Sequence, residues 1–237
     1  MTMNSKNIYE KYWKDRLEAD RLNQKKRFFP GEILESVNKI LKSGERLLDL
    51  GCGEGNLFEI TKHKFNEGHG CDISEIALKK AKKRGIYTIC ADLNVSSHLP
   101  YQNESFDAII CVEVLDYIFN PSHLLCETKR ILRPNGQMIL TTPNFRYFRN
   151  LAKLLLKGSF PHTTTDNFVW GGGHIHYFTT KDLSTLFRKA GFNKMVFHIN
   201  HKQFERSWKR RIIFRLTGKS IFKEWFCGGI VLEAFKA

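Results

Sequence analysis

The six cysteines of this 237-residue chain, at 52, 71, 90, 111, 126 and 227, form no C-x-x-C pair. That spacing argues against a structural zinc site and leaves buried free thiols in a reducing cytosol as the expectation. No apolar run approaches the length needed to cross a bilayer, and the polar start MTMNSKNIYEKYWK carries no signal-peptide pattern. We therefore expect a cytoplasmic protein. No G-x-x-x-x-G-K-[ST] occurs, which excludes a phosphate loop. Acids are in short supply too: 24 Asp and Glu face 38 Lys and Arg, a formal charge of +14. Such an excess points to an acidic partner, whether nucleic acid, an anionic membrane surface or a phosphorylated substrate. An apolar fraction of 42% with 13% aromatics belongs to a folded globule. The length suits one domain with a sizeable core and a small appended cap.

The most informative stretch is 46–57, RLLDLGCGEGNL. Its apolar start lacks polar alternation and reads as a buried parallel strand. Asp49, Gly51, Gly53 and Gly55 then follow as D-x-G-x-G-x-G before a helix-like run over 56–64. Glycines there let the backbone turn sharply and let a ligand lie against the main chain, beside the free N–H groups of a helix start. This is a nucleotide-type site. A dinucleotide fingerprint, G-x-G-x-x-G, would need its third glycine at 56, where Asn56 stands. Asp49 suits a ligand carrying a positive group better than a diphosphate. On these residues the chain resembles the class I S-adenosylmethionine-dependent methyltransferases, whose first motif is D-x-G-x-G-x-G.

The rest of the chain alternates as a parallel α/β domain does. We expect helices over 8–26 and 32–41, then strands over 46–50, 67–71, 86–91, 106–112 and 137–142, with helices over 74–84 and 121–132 between them. A turn at Pro134, Asn135 and Gly136 precedes the fifth strand. Beyond it we expect a helix over 145–157, a loop over 158–173, a helix over 181–190 capped by Thr180 and stopped by Gly191, and strands over 194–200 and 229–236. The resemblance implies a Rossmann-like, mostly parallel seven-stranded sheet of order 3-2-1-4-5-7-6 flanked by helices. We divide the chain into an N-terminal helical cap, 1–44, and a methyltransferase domain, 45–237, with a basic helical insertion at about 201–225 between the last two strands.

Four further segments match the family in order. Asp72, with Ile73, ends the second strand where such enzymes hold the ribose hydroxyls; a carboxylate can accept two hydrogen bonds from a vicinal diol. Asp92, between Ala91 and Leu93, stands where the family's acid accepts from the adenine amino group. FDAIICVEVLDY, 106–117, resembles the fourth motif, so Val112, Glu113 and Val114 would line the methionine and acceptor side. LRPNGQ, 132–137, resembles the turn before the fifth strand. With Gly51, Cys52, Gly53, Gly55 and Asn56 these complete the implied S-adenosylmethionine site. Plainer readings stand beside it: the glycines as a tight turn, Asp72 as a helix cap, Asp92 as a turn-former, Glu113 as a support for the loop.

Methyl transfer needs an aligned acceptor and exclusion of water, and a base only where the acceptor must lose a proton. Many relatives carry Glu-His after the fourth strand, where this chain has Asp116 and Tyr117, which removes the ground for a metal- or histidine-assisted mechanism borrowed from quinone O-methyltransferases. Other histidines occur in GGGHIHYFT, 171–179: His174 and His176 alternate and would face one way in an extended flap. They and Glu113 are the candidate catalytic groups, with structural hydrogen bonding and pocket lining as the alternatives for the histidines. No third ligand accompanies them, so no metal is expected. The N-terminal helices would lie over the cofactor, bringing Tyr9, Tyr12 and Trp13 near the acceptor. TPNF, GSFP and the first motif further resemble the MetW-like branch.

In 201–225, Phe204, Trp208, Ile212 and Leu216 recur at helical spacing among Arg206, Lys209, Arg210, Arg211, Arg215 and Lys219. That pattern suits a packed amphipathic helix or one lying on an anionic membrane. We expect methylation of an oxygen or nitrogen of a small-molecule, glycan or lipid-linked acceptor, with peripheral contact at the inner membrane surface through 201–225. An accessory, partner-binding protein of the MetW type and an RNA methyltransferase are the alternatives.

Overall fold

The computed structural model describes residues 5–21, 31–159, 174–198 and 223–237. Five strands, β1 (Gly44–Leu50), β2 (Phe65–Asp72), β3 (Tyr87–Cys90), β4 (Phe106–Val112) and β5 (Leu132–Pro143), lie parallel. Two late strands, β6 (Lys194–His198) and β7 (Gly229–Phe235), complete a seven-stranded sheet of order β3-β2-β1-β4-β5-β7-β6, with β7 antiparallel to both neighbours. The helices are α1 (Ser5–Arg21), α2 (Gly31–Ile40), α3 (Asn56–Thr61), α4 (Glu75–Lys83), α5 (Pro121–Ile131), α6 (Phe148–Lys157) and α7 (Thr180–Lys189).

The central strands are apolar without alternation because both of their faces are covered. Successive side chains go to opposite faces. Leu48, Leu50, Ile109, Cys111, Met138 and Leu140 pack into one core with Phe187 and Phe192 of the α7 region. Leu47, Ala108, Ile110 and Ile139 pack into the other with Val37 and Leu41 at α2, Leu57 and Phe58 of α3, and Leu78 of α4. Leu47 and Leu48 are fully buried, and burying each side chain contributes about 1.5–3 kcal/mol. Gln137, at the buried start of this layer, donates from Nε2 to the Ile40 carbonyl and accepts from Lys42 N–H, tying α2 to β5.

The expected elements are all found where the structure describes the chain, with shifted bounds. β5 begins at Leu132, ahead of the expected turn: Pro134, Asn135 and Gly136 form an irregularity inside the strand. There the pairing jumps from Phe106 opposite Leu132 to Ala108 opposite Gln137, and Asn135 adopts φ +60°. A proline without an N–H and a left-handed residue break the ladder without ending the strand. The cap of α7 is Thr179 rather than Thr180. Its hydroxyl accepts from Asp182 N–H while the Asp182 carboxylate takes the Thr179 N–H, a reciprocal capping box. α6 starts at Phe148 because the Asn144 side chain accepts from Arg146 N–H and holds 144–146 in a turn. The glycines of the expected flap, 171–173, and nearly all of the basic insertion, 201–222, lie outside the described residues.

From β1 the chain builds outward to β3, then returns to place β4 on the other side of β1. The sheet order therefore reverses between β1 and β4, and open α/β sheets bind ligands in the crevice outside the carboxyl ends at such a point.

Candidate functional site

The loop after β1 sits at that reversal. Gly51, Gly53 and Gly55 have φ of +70°, +51° and +75°. A Cβ on Gly51 would stand 2.3 Å from Val114 Cγ2, so the loop can lie against the end of β4 only without a side chain. Gly51 and Cys52 both donate N–H to the Cys71 carbonyl, at 2.7 and 3.1 Å, which folds the loop over the end of β2.

Asp72 ties this loop to the start of α4. One carboxylate oxygen accepts from Gly53 N–H and the other from Ser74 N–H, each at 2.9 Å. The cap of α4 is Ser74, whose hydroxyl accepts from Ala77 N–H, so Asp72 is not the helix cap. Burial raises the Asp72 carboxyl above its ordinary value against the pull of those amides. Asp49 lies deeper, 4% exposed, and accepts no side-chain hydrogen bond from a described residue. Burial, with the Asp72 charge beside it, pushes its carboxyl well above the ordinary range. Two neighbouring buried carboxylates thus face the loop, with no cation from the described residues between them.

α1 covers this arrangement. A Cβ on Gly53 would meet the buried Trp13 ring at 2.8 Å, and Tyr12 stands edge-on to Trp13 with ring centroids 5.5 Å apart. Glu10 accepts from Ser74 Oγ at 3.2 Å and Glu75 N–H at 2.8 Å, while Lys6 pairs with Glu75 at 2.6 Å. Of the two N-terminal helices expected as cover, α1 lies against Gly53 and the start of α4, whereas α2 packs on the sheet through Val37 and Leu41.

Several expected cofactor residues present backbone rather than side chain. A Cβ on Gly70 would meet Cys52 Sγ at 2.6 Å, so that thiol points back onto β2. Asn56 Oδ1 accepts from Arg84 at 2.7 Å and is held toward the end of α4. The Ile73 carbonyl accepts from Cys90 Sγ, and Ala91 N–H donates to the Asp72 carbonyl. Ala91 and Leu93 are partly buried against the core. Asp92 Oδ1 accepts from Asn94 N–H at 2.9 Å, the turn-forming arrangement, at the end of β3.

The carboxyl ends of β4 and β5 carry a second group of side chains. Glu113 adopts φ +54°, a conformation uncommon for a non-glycine residue. It is held there by Thr141, which takes the Glu113 N–H on its carbonyl at 3.1 Å and donates its hydroxyl to the carboxylate at 2.9 Å. Burial raises the Glu113 carboxyl to about 7. Asp116 is 1% exposed; the Thr142 hydroxyl donates to Oδ1, whereas Oδ2 is buried with no partner among the described residues. Burial, then the nearby Glu113, raises the Asp116 carboxyl to about 8. The Asp116 carbonyl accepts from Ile175 and His176 N–H at 2.9 and 3.1 Å, pinning the histidine segment to this end of the sheet. His174 is buried edge-on to Tyr117, centroids 4.7 Å apart, and burial lowers its imidazole to about 4. His176 Nε2 is also buried without a partner among the described residues.

The structure therefore sets Glu113 beside Asp116, Thr141 and Thr142, which sequence reasoning missed, and ties the segment of His174 and His176 to this end of the sheet through the Asp116 carbonyl and the Tyr117 ring. Asp116 stood out only as a departure at the Glu-His position. Two neighbouring carboxyls raised by burial toward neutrality can accept or hold a proton from a bound molecule.

A family model described as methionine biosynthesis protein MetW matches residues 32–222. The chain is 33% identical over 106 residues to the ubiquinone biosynthesis O-methyltransferase of Dechloromonas aromatica, covering 43% of this chain and 46% of that protein. It is 28% identical over 217 residues to the tRNA N(3)-cytidine methyltransferase METTL2 of Gallus gallus, covering 85% and 55%. The chain spans about half the length of the curated relatives it matches. Among solved structures, a SAM-dependent methyltransferase of Thermotoga maritima superposes with TM-score 0.65 at 22% identity, covering 97% of this chain and 98% of that one. An S-adenosylmethionine-dependent methyltransferase of Mesorhizobium loti gives 0.63 at 20%, covering 85% and 96%. At these identities the likeness is one of fold.

Proposed function

The chain belongs to the MetW family, and from that premise we propose that it binds S-adenosylmethionine at the glycine loop and transfers the methyl group to an oxygen or nitrogen of a small-molecule, glycan or lipid-linked acceptor. The observation that carries this reading is Asp49. A buried carboxylate next to a second one, with no cation among the described residues to compensate it, favours a positively charged ligand. A diphosphate would add negative charge beside Asp49 and Asp72, and Asn56 removes the third fingerprint glycine.

The cofactor supplies a methyl group already activated on a cationic sulfur. The chain's own residues bind and orient. Asp72 keeps lone pairs beyond those used by Gly53 and Ser74, enough to accept from a vicinal diol. Ala91 and Leu93 offer apolar contact to a base, and the second oxygen of Asp92 an acceptor for its amino group. Trp13, buried on Gly53, excludes water from that part of the loop. At the acceptor end, Asp116 Oδ2 and His176 Nε2 both lack a partner among the described residues, and Asp116 Oδ2 is the carboxylate oxygen open to take a proton or hydrogen bond from an acceptor O–H or N–H. His174, neutral through burial, orients an acceptor by hydrogen bonding rather than by charge.

The test is transfer of a labelled methyl group from S-adenosylmethionine into cell extract fractionated into small molecules, lipid, glycan, RNA and protein. We expect label in one of the first three fractions, reduced at least tenfold by Asp116→Asn. Label in RNA alone would move the acceptor to RNA, a reading favoured by the +14 charge and by the tRNA methyltransferase relative. No label, with an enzyme co-purifying, would make the protein an accessory subunit.

A further inference from the structure

α6 is a helix at the acceptor end of the sheet with no buried residue. Leu155 and Leu156 are 80% and 84% exposed, and Leu154 is exposed as well. At about 100° per residue, Phe148, Leu151, Ala152 and Leu155 share one side, flanked by Leu154 and Leu156. Arg149, Lys153 and Lys157 occupy the other, all exposed, and no acid occurs in the helix. None of the three cations pairs with a carboxylate among the described residues. Arg146, just before the helix, is held by Glu224 at 2.9 Å and belongs to the fold rather than to this surface.

A core-facing amphipathic helix buries its whole apolar stripe; here Phe148, Leu151 and Ala152 are half-buried, whereas the last turn presents Leu154, Leu155 and Leu156 to water beside positive charge. Nucleic acid would use the cations and leave the leucines in water. A neutral protein groove would use the leucines and leave the cations unpaired. A surface of anionic lipid uses both, with apolar side chains among the acyl chains and cations at the phosphates. The position adds weight. α6 follows β5 directly, and the connecting residues are anchored by Asn144 N–H to the Gly228 carbonyl and Phe145 N–H to the Phe178 carbonyl. The helix is thus fixed near Thr141, Thr142 and the Asp116 cluster.

We propose that α6 seats the protein on an anionic membrane surface, with Leu155 and Leu156 in the interface and Arg149, Lys153 and Lys157 at the head-group phosphates, so that the Asp116 end of the sheet lies toward the lipid. The segment differs from 201–225, and the inference does not depend on the methyl donor.

The test is flotation of the intact protein with vesicles of phosphatidylcholine alone and of phosphatidylcholine mixed with phosphatidylglycerol. We expect flotation with the mixed vesicles only, weakened by added salt. We expect the bound fraction to fall at least tenfold in a Leu155→Ser/Leu156→Ser variant and in a Lys153→Glu/Lys157→Glu variant. Both pairs are exposed, so unchanged circular dichroism and melting temperature should accompany the loss. Failure of the wild type to float, indifference to lipid charge, or full flotation of either variant would overturn the proposal. So would unchanged flotation together with a leucine variant that turns a dimer into a monomer by light scattering, which would assign the stripe to a second copy of the chain.

Discussion

Asp72→Ala removes the acceptor for two backbone N–H groups at once, those of Gly53 and Ser74, each bonded at 2.9 Å. Both residues are buried, and an orphaned buried donor costs about 1–3 kcal/mol, so the gross loss is about 2–6 kcal/mol. Part is returned, because burial of the Asp72 carboxyl outweighs the amides that stabilise its charged form. We expect a net loss of about 2–3 kcal/mol. For a chain of this length each kcal/mol lowers the melting temperature by about 2–4 °C, which gives a drop of about 4–12 °C. Thermal unfolding followed by circular dichroism at neutral pH measures it. Asp72→Asn should fall between, since an amide keeps one acceptor oxygen and turns a donor toward the other N–H. An alanine variant that melts within about 1 °C of the wild type would refute the role of Asp72 as the brace between the glycine loop and α4.

Gly51→Ala sets a Cβ 2.3 Å from Val114 Cγ2 at φ +70°, so we expect a strain of about 1–3 kcal/mol and displacement of the loop, read as lost ligand binding with retained far-UV dichroism. Unaltered binding in that variant would show that the loop does not press on β4. The carboxyls of Glu113 and Asp116 are raised in the folded state, so the folded protein holds protons that the unfolded chain releases. Their contribution is complete below the ordinary carboxylate range and is lost as pH rises through about 7 and about 8. Denaturant titrations across that window should show stability falling with pH, with a shallower fall in Asp116→Asn; an equal slope in the two proteins would show that Asp116 does not titrate there. Thr179→Ala, which breaks the capping box of α7, should cost about 1 kcal/mol in the same titration.

The glycine loop was legible because its chemistry is local: an apolar run, an acid and alternating glycines specify strand, turn and helix within a dozen residues. The strand order came through resemblance, and the structure bears it out. Boundaries failed where two local signals competed. Thr179 and Thr180 are both able to cap, and Asp182, three residues after Thr179, decides between them. Pro134 and Gly136 mark a turn in any sequence, yet pairing with β4 on either side keeps the strand running through them. Asp116 was not legible because its environment is assembled from distant pieces. Its partner Thr142 comes from β5, the N–H groups on its carbonyl from 175 and 176, and the raised carboxyl from burial among them. Glu10 is similar: one acid among many charges in the sequence, it finds the N-terminus of α4 only when α1 docks.

Titration calorimetry of the intact protein with S-adenosylmethionine, and separately with NADH, tests the identity of the ligand most directly. We expect saturable heat with S-adenosylmethionine, affinity reduced at least tenfold by Asp72→Asn, and no binding of NADH. Tight binding of NADH with no S-adenosylmethionine signal would contradict the assignment of the glycine loop.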